Sequence, residues 1–191
     1  MEENKITKFN LLMTTAGEIY NKTFSKLLLK LYWDSLQKYT YDEVENAIYQ
    51  HIKSPEVGRY PPKPADIVAV INRGDKNQSL QAWKKVEHAI KHVGSYASVV
   101  FDDALIHAVI FDMGGWISLC AMTYRDLPLR AKEFQTRYQE YLQKPPHHWL
   151  SHLIGIFEAH NSCNDDQSLQ LIGDRDKALQ VHANGKPSNN R

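Results

Sequence analysis

The chain has 191 residues, of which 42% are hydrophobic and 10% aromatic, which allows a real core and argues against a largely disordered protein. Its 23 Lys and Arg nearly balance 22 Asp and Glu, so we expect no large basic surface for nucleic acid. Only local clusters of basic residues could bind it. No apolar run reaches membrane-spanning length and the start of the sequence lacks a signal-peptide pattern. We therefore expect a soluble, cytoplasmic protein that does not bind membranes.

Three prolines between residues 60 and 64 organise the first part of the chain. Each proline lacks an amide donor and crowds the preceding turn, so residues 60–63 should form an extended elbow that no helix crosses. Pro64 suits the first turn of a new helix over 65–72, with Gly74 as its stop. The polar run 74–78 that follows is expected to be a linker, with one helical domain at 1–76 and a second at 77–160.

Three helices are predicted before the elbow. Apolar residues recur at helical spacing over 5–20, Ser25 can cap a second helix, and Thr40 with Glu43 fits a capping box for a third. In the second helix the buried stripe is expected to consist of Leu27, Leu28, Leu31, Tyr32 and Leu36.

The second domain is predicted to contain five more helices. Three of them begin at Ser79, Trp116 and Pro128, and the other two span residues 104–113 and 147–160. Asp102 or Asp103 should cap the helix over 104–113, and Gly114-Gly115 should end it with positive φ. The stretch 96–101 is interpreted as an extended loop because a single strand has no obvious partner. A small hairpin of 96–101 with a late segment is the competing interpretation.

These elements predict an all-α protein made of two small helical bundles, with about nine helices in total. Residues 161–191 are expected to form a flexible, partly disordered arm, because their apolar residues are sparse and the last nine residues, ANGKPSNNR, are polar.

No catalytic pattern stands out in the sequence. A Ser-His-Asp set, a Walker loop and a dinucleotide fingerprint are all absent, so we expect a protein that is not an enzyme and has no catalytic residues or cofactor. Cys120 lies in an apolar run and should be a small buried residue, whereas Cys163 has no evident base beside it.

Two histidine pairs raise the hypothesis of a metal site. His88 and His92 are four residues apart on one predicted helix, and His148 and His152 are four apart on another, so together they could place four imidazoles around a tetrahedral ion. The same two helices need their Trp83 and Trp149 faces for the core, which leaves the histidines nearer to solvent. We therefore expect two separate pairs of half-exposed residues and no bound metal.

Aromatic residues are concentrated in the first domain. Such side chains anchor protein interfaces and also stack on bases. Trp33, beside the predicted stripe, is either the rim of the core or a contact residue. The alternative of nucleic-acid binding would use the aromatics with a row of basic residues, namely Lys26, Lys30, Lys38, Lys53, Arg59 and Lys63.

Roughly the first third of the chain resembles the phage replicative-helicase loader and inhibitor family. The matching motifs are Tyr32-Trp33 with Leu36, the stretch 39–48 (YTYDEVENAI), and the stretch 60–67 (YPPKPADI). The second half, through Phe101-Asp102-Asp103 and 113–116 (MGGW), resembles an uncharacterised group of phage and prophage proteins.

The resemblance implies a DNA-replication adaptor that acts by protein–protein contact. Its partner would be a hexameric replicative helicase, with an origin-bound initiator or single-stranded DNA as further partners. On this resemblance the first domain would bind through Trp33, Tyr39, Tyr41 and Tyr60. The flexible arm would fold onto a partner groove through Leu169, Leu171, Ile172 and Leu179.

Overall fold

The computed structural model describes residues 2–161 and 169–187, and the chain divides into two compact units, Met1–Asp75 and Lys76–Arg191. The described part is mostly helical, as expected, but the all-α prediction is wrong in detail because a small sheet is present. In chain order the elements are α1 (Glu2–Ile19), α2 (Lys26–Leu36), α3 (Tyr41–Lys53), α4 (Pro64–His92), β1 (Ser98–Phe101), α5 (Ala104–Asp112), α6 (Gly115–Cys120), α7 (Leu127–Gln143), α8 (Ile156–Asn161), β2 (Leu169–Ile172) and α9 (Arg175–Asn184).

The first unit is a small helical bundle, and the predicted N-caps of α2 and α3 are confirmed. Ser25 accepts a hydrogen bond from the Leu28 N–H at 3.2 Å, and Thr40 and Glu43 form the complete capping box. Its buried core is built by apolar side chains of α1, α2, α3 and the start of α4: Phe9, Met13, Ala16, Tyr32, Leu36, Val44, Ala47, Ile48, Ile67 and Ile71.

No helix crosses the proline elbow, as predicted, since α3 ends at Lys53 and α4 begins at Pro64, and two side chains fasten the elbow to the bundle. The Tyr32 hydroxyl donates to the Pro62 carbonyl at 3.0 Å, and His51 Nε2 donates to the Tyr60 carbonyl, also at 3.0 Å. An elbow rich in proline has few amide donors, so it cannot form a regular backbone ladder. Side-chain donors from α2 and α3 satisfy two of its carbonyls instead and hold it against these helices.

The predicted linker at 74–78 does not interrupt the helix, because α4 runs without a break from Pro64 to His92. One glycine inside a helix costs only about 1 kcal/mol relative to alanine, which neighbouring turns readily offset. The polar run also has a structural use. The buried Ser79 hydroxyl donates to the Lys76 carbonyl at 3.0 Å and accepts from Gln139 of α7 at 3.0 Å.

The second unit has its own core, which draws on α4 to α7, on β1 and on Leu153 of the extended segment before α8. Its buried members are Ala82, Trp83, Val86, Ala89, Val99, Phe101, Ile106, Val109, Ile110, Met113, Trp116, Leu119, Phe134, Tyr138 and Leu153. As predicted, Asp103 caps α5, accepting from the Leu105 N–H at 2.9 Å, and Gly114 and Gly115 have φ of 98° and 86° where α5 gives way to α6. The Tyr138 hydroxyl of α7 also donates to the Asp103 carboxylate.

The interpretation of 96–101 as a loop is wrong. Residues 98–101 form the strand β1, which pairs in parallel with β2, Ser98 opposite Leu169 and Phe101 opposite Ile172. On its other side, Val99 exchanges both backbone hydrogen bonds with Leu153 at 3.0 and 2.9 Å. All four β1 residues are buried. The competing hairpin is wrong too, because the late segment runs parallel to β1 rather than antiparallel.

The helix predicted over 147–160 is present only as α8. Residues before it are extended and find their backbone partners elsewhere: the Ser151 N–H donates to the Lys186 carbonyl at 2.7 Å and the Lys186 N–H to the Trp149 carbonyl at 2.8 Å. The apolar residues of this segment recur at helical spacing, but those before α8 make their contacts from an extended chain.

The prediction of a flexible arm is wrong for residues 169–187. This part forms β2 and then α9, which Asp174 caps by accepting from the Lys177 N–H at 3.0 Å, and Ala178 of α9 is fully buried. Residues 183 and 184, predicted to be disordered, belong to α9. Cys163 and the last four residues lie outside the described ranges.

Candidate protein-binding site

An aromatic cleft in the first unit brings together three of the four aromatic residues predicted to bind a partner. Trp33 of α2, Tyr39 of the following turn and Tyr41 at the start of α3 line a cavity of about 210 Å³. Its other lining residues are Lys5, Phe9, Leu36, Gln37, Thr40 and Val44. We call this site the aromatic cleft.

Packing holds the walls of the aromatic cleft in place. Trp33 meets Phe9 edge to face with ring centroids 5.3 Å apart, and both rings belong to or border the core. Lys38 Nζ lies 4.7 Å from the centroid of the Tyr39 ring, a cation–π contact. The Tyr41 hydroxyl donates to Glu45 at 3.1 Å. Trp33 is thus both rim of the core and wall of a cleft.

Tyr60, the fourth predicted aromatic, is not part of the aromatic cleft. It lies on the proline elbow with 71% of its surface exposed, while its backbone carbonyl is held by His51. Its side chain is free to contact a partner, but from a different place.

The phase predicted for α2 is wrong. The side chains that pack into the core are Leu29, Tyr32, Trp33 and Leu36, whereas Leu27, Leu28 and Leu31 are 70%, 36% and 55% exposed. The sequence KLLLKLYW places apolar residues on every side of the helix, so its pattern alone did not decide which side is buried. α2 therefore carries a second, exposed apolar face.

The basic residues predicted for nucleic acid are exposed but spread over several elements. Lys26 and Lys30 are on α2, Lys53 is the last residue of α3, and Arg59 and Lys63 lie in the loop and elbow before α4. Lys38, also exposed, sits over the Tyr39 ring.

The residues predicted for the C-terminal arm are folded rather than free. Leu169, Leu171 and Ile172 are half-buried in β2, and Ile172 packs against the core of the second unit. Leu179, on α9, remains 47% exposed. Since β2 is already paired with β1, the proposed folding of this arm onto a partner groove loses its basis for the first three residues.

The two histidine pairs are used in different ways. His88 and His92 stack on exposed turns of α4 with ring centroids 4.0 Å apart. His148 precedes α8 and is not on a helix, so the second pair does not share a helical face. Within residues 2–161 and 169–187, no group of three or more His, Cys, Asp or Glu side chains has the arrangement to hold a metal ion.

The second unit also contains a polar cluster that no sequence motif indicates. His152 Nε2 lies 2.8 Å from Glu158 Oε1 and its Nδ1 lies 3.1 Å from the Ser151 hydroxyl, while the Ser98 hydroxyl donates to Glu158 at 2.6 Å. The order Ser151, His152, Glu158 resembles a hydrolase triad, but Ser151 is only 8% exposed, which leaves a substrate carbonyl little approach. The cluster instead joins β1, the extended segment before α8, and α8.

His107 is a fully buried connector at the centre of the second unit. Its Nε2 accepts from the Phe101 N–H at 2.8 Å, so its Nδ1 carries the proton and donates to the Leu150 carbonyl at 2.7 Å. Burial lowers the pKa of His107 to about 4, despite the favourable bond to Leu150. A similar desolvation raises the pKa of the Cys120 thiol to about 12, as expected of an inert, partly buried cysteine.

We expect the second unit to lose stability in mild acid because of His107. A pKa lowered on folding means that the unfolded chain binds the proton more tightly, so stability is complete above about pH 6.5 and falls as pH drops towards 4. Between pH 7.5 and 5 this linkage amounts to about 2 kcal/mol. Urea unfolding in a Trp33→Phe background measures it, since Trp83, Trp116 and Trp149 all lie in the second unit.

The matched control is His107→Gln, which keeps an amide donor and acceptor but does not titrate. Between pH 7.5 and 5, the free energy of unfolding of His107→Gln should fall by about 2 kcal/mol less than that of the protein with His107. An equal pH dependence in both proteins would show that other groups cause the acid sensitivity.

Comparison with known proteins adds one match. Residues 99–185 match a family model described as a domain of unknown function, DUF6475. The matched segment begins within β1, includes β2 and ends just after α9. It contains His107, Ser151, His152 and Glu158, and it does not reach the aromatic cleft. No curated protein and no solved structure matches the chain.

In the part of the chain that the structure describes, none of the helices combines the length and apolarity needed to cross a bilayer.

Proposed function

We propose that this protein is a DNA-replication accessory protein of phage or prophage type, which binds a hexameric replicative helicase and loads or inhibits it. It acts by protein contact and not by catalysis. The proposal rests on the resemblance of the first third of the chain to helicase loaders and inhibitors, and the observation that carries it is the aromatic cleft, which gathers Trp33, Tyr39 and Tyr41 from that same region.

The size of the aromatic cleft favours a protein partner over a metabolite. Small-molecule sites usually occupy about 300–1,000 Å³ and enclose most of their ligand, whereas this cavity is about 210 Å³. A cavity of this size suits one large side chain from a partner surface. Rigid aromatic walls that bury such an anchor are the usual centre of binding energy in protein interfaces.

We expect the full chain to form a stable complex with the host's purified replicative helicase, measured by co-elution and by biolayer interferometry at micromolar concentrations. Tyr39→Ala, which removes a wall of the cleft, and Gln37→Trp, which obstructs it, should each weaken binding at least tenfold. Tyr49→Ala is the matched control, because Tyr49 is 53% exposed on α3 and does not line the cleft.

Two outcomes would contradict the proposal: no complex at micromolar concentrations, or cleft variants that bind as tightly as Tyr49→Ala. A parallel titration with single-stranded DNA separates the alternative function. Binding through Lys26, Lys30, Lys53, Arg59 and Lys63 would weaken steeply as salt rises, because phosphate contacts release counterions.

A further inference from the structure

The residues that line the aromatic cleft differ in exposure, and the difference separates its floor from its mouth. The floor consists of Phe9, Leu36 and Val44, which are 3%, 1% and 3% exposed. The walls are the half-buried side chains of Trp33, Tyr39 and Tyr41, and the exposed residues at the mouth are Lys5, Gln37 and Thr40. The deep part of the cleft is therefore apolar, and its charged and amide side chains lie at the mouth.

Lys5 is the one charged side chain among the described residues that line the cleft. Acidic side chains of the neighbouring turns are placed elsewhere. Glu43 closes the capping box, and Glu45 accepts a hydrogen bond from the Tyr41 hydroxyl at 3.1 Å. Asp34 and Asp42 are exposed, and neither lines the cavity. The charge that an entering group meets on the wall of the cleft is therefore positive.

This combination of apolar floor and positive mouth selects among the side chains that a partner could insert. An arginine or lysine, which aromatic rings bind through their faces, would be repelled by Lys5 and would find one face of Tyr39 covered by the Lys38 ammonium group. A carboxylate inserted alone would lose its hydration against the apolar floor. A large apolar side chain fits the floor and the walls, and a carboxylate next to it in the partner chain would pair with Lys5 at the mouth.

We propose that the aromatic cleft recognises a short acidic segment of the partner protein, in which a large apolar side chain fills the cleft and an adjacent Asp or Glu pairs with Lys5. This inference rests on the proposed function, because it takes the aromatic cleft to be the partner-binding site, and it assigns Lys5 as the residue that selects the segment. An exposed ion pair changes affinity only a few fold, so the apolar anchor provides most of the binding and Lys5 provides the preference.

The test uses the isotope-labelled full chain and three short peptide probes. The acidic probe has a phenylalanine between two aspartates, the basic probe has lysine in place of each aspartate, and the alanine probe has alanine in place of the phenylalanine. Binding is followed in NMR titrations by the indole N–H signal of Trp33, one of four tryptophans, which its loss in Trp33→Phe identifies. We expect a dissociation constant of about 0.1–1 mM for the acidic probe, about five- to tenfold weaker binding of the basic probe, and no saturable binding of the alanine probe.

Variants assign the preference to Lys5. Lys5→Glu should reverse it, so that the basic probe binds more tightly than the acidic one. Lys8→Glu is the matched control, because Lys8 is also exposed on α1 but does not line the cleft, and it should leave each affinity within about twofold of the wild type. Gln37→Trp, which obstructs the mouth, should abolish binding of the acidic probe. All three side chains are exposed, so circular dichroism and thermal midpoints should stay close to those of the wild type.

Each other result overturns the inference. If the alanine probe binds as well as the acidic one, the anchor is not apolar, and if the basic probe binds more tightly to the wild type, the cleft is a site for cations. If Lys5→Glu behaves like Lys8→Glu, Lys5 does not select the segment.

Measurements with the helicase separate this inference from the proposed function. A helicase complex that Tyr39→Ala weakens, but that is equally tight with Lys5→Glu and Lys8→Glu, would overturn the inference and leave the proposed function standing. The expected preference among the peptides without any helicase complex would support the inference and overturn the proposed partner.

Discussion

Replacing His107 by leucine is expected to destabilise the second unit by about 2–6 kcal/mol, because it leaves two buried backbone groups without partners at about 1–3 kcal/mol each. The Phe101 N–H on β1 and the Leu150 carbonyl both depend on this imidazole, at 2.8 and 2.7 Å. Leucine fills much of the same space, so the loss reports on hydrogen bonding more than on packing. Urea unfolding at pH 7.5, again in the Trp33→Phe background, measures the change.

His88→Leu provides the control for this experiment, since His88 is exposed on α4 and its loss should change the free energy of unfolding by less than about 0.5 kcal/mol. His107→Gln should lie between the two variants, because an amide can restore part of the bonding. A His107→Leu protein as stable as His88→Leu would show that water or a backbone shift satisfies both groups.

The second large effect is expected at Gly173, between β2 and α9. Its φ is +92°, and a Cβ there would lie 2.3 Å from the Asp102 carboxylate. That carboxylate has little freedom to move, because Lys85 Nζ donates to both its oxygens at 2.7 and 2.8 Å and the Asp174 N–H donates at 2.8 Å. Gly173→Ala should therefore cost about 3 kcal/mol, from backbone strain together with weakened bonds to Asp102.

Hydrogen exchange followed by mass spectrometry tests the location of this effect, because peptides covering β2 and α9 should lose protection before those of α5. Gly94→Ala is the matched control: Gly94 also has a positive φ, +73°, but a Cβ there meets nothing within 4 Å. It should show only the cost of strain, about 1–2 kcal/mol. Equal effects of the two substitutions would mean that the Asp102 contact contributes nothing.

Local signals in the sequence were sufficient for much of the fold. The caps at Ser25, Thr40 and Asp103 and the Gly114-Gly115 stop depend on residues within a few positions of one another, so their chemistry can be read directly. Trp33, Tyr39 and Tyr41 were named as partner-binding residues from the family resemblance, and the structure shows that three residues so close in the chain line one cavity.

What the sequence did not reveal depends on distant partners or on a choice between similar faces. The loop interpretation was preferred for 96–101 because its partner β2 comes only at residue 169, and the competing interpretation, which paired it with a late segment, had the wrong strand direction. The His107 connector depends on Leu150 in the same way. The phase of α2 was misread because leucines occupy both of its faces, and only the packing of Tyr32 and Leu36 against the other helices decides between them.

The parallel pairing of β1 with β2 also sets the order in which this protein can fold during synthesis. The first unit is complete once the start of α4 has left the ribosome, and its contacts are between neighbouring elements. β1 emerges early but waits for residues 169–172 before its parallel partner exists. Until then the apolar run Val99, Val100 and Phe101 lacks its partner strand, so the nascent second unit exposes an unpaired strand edge of the kind that invites aggregation.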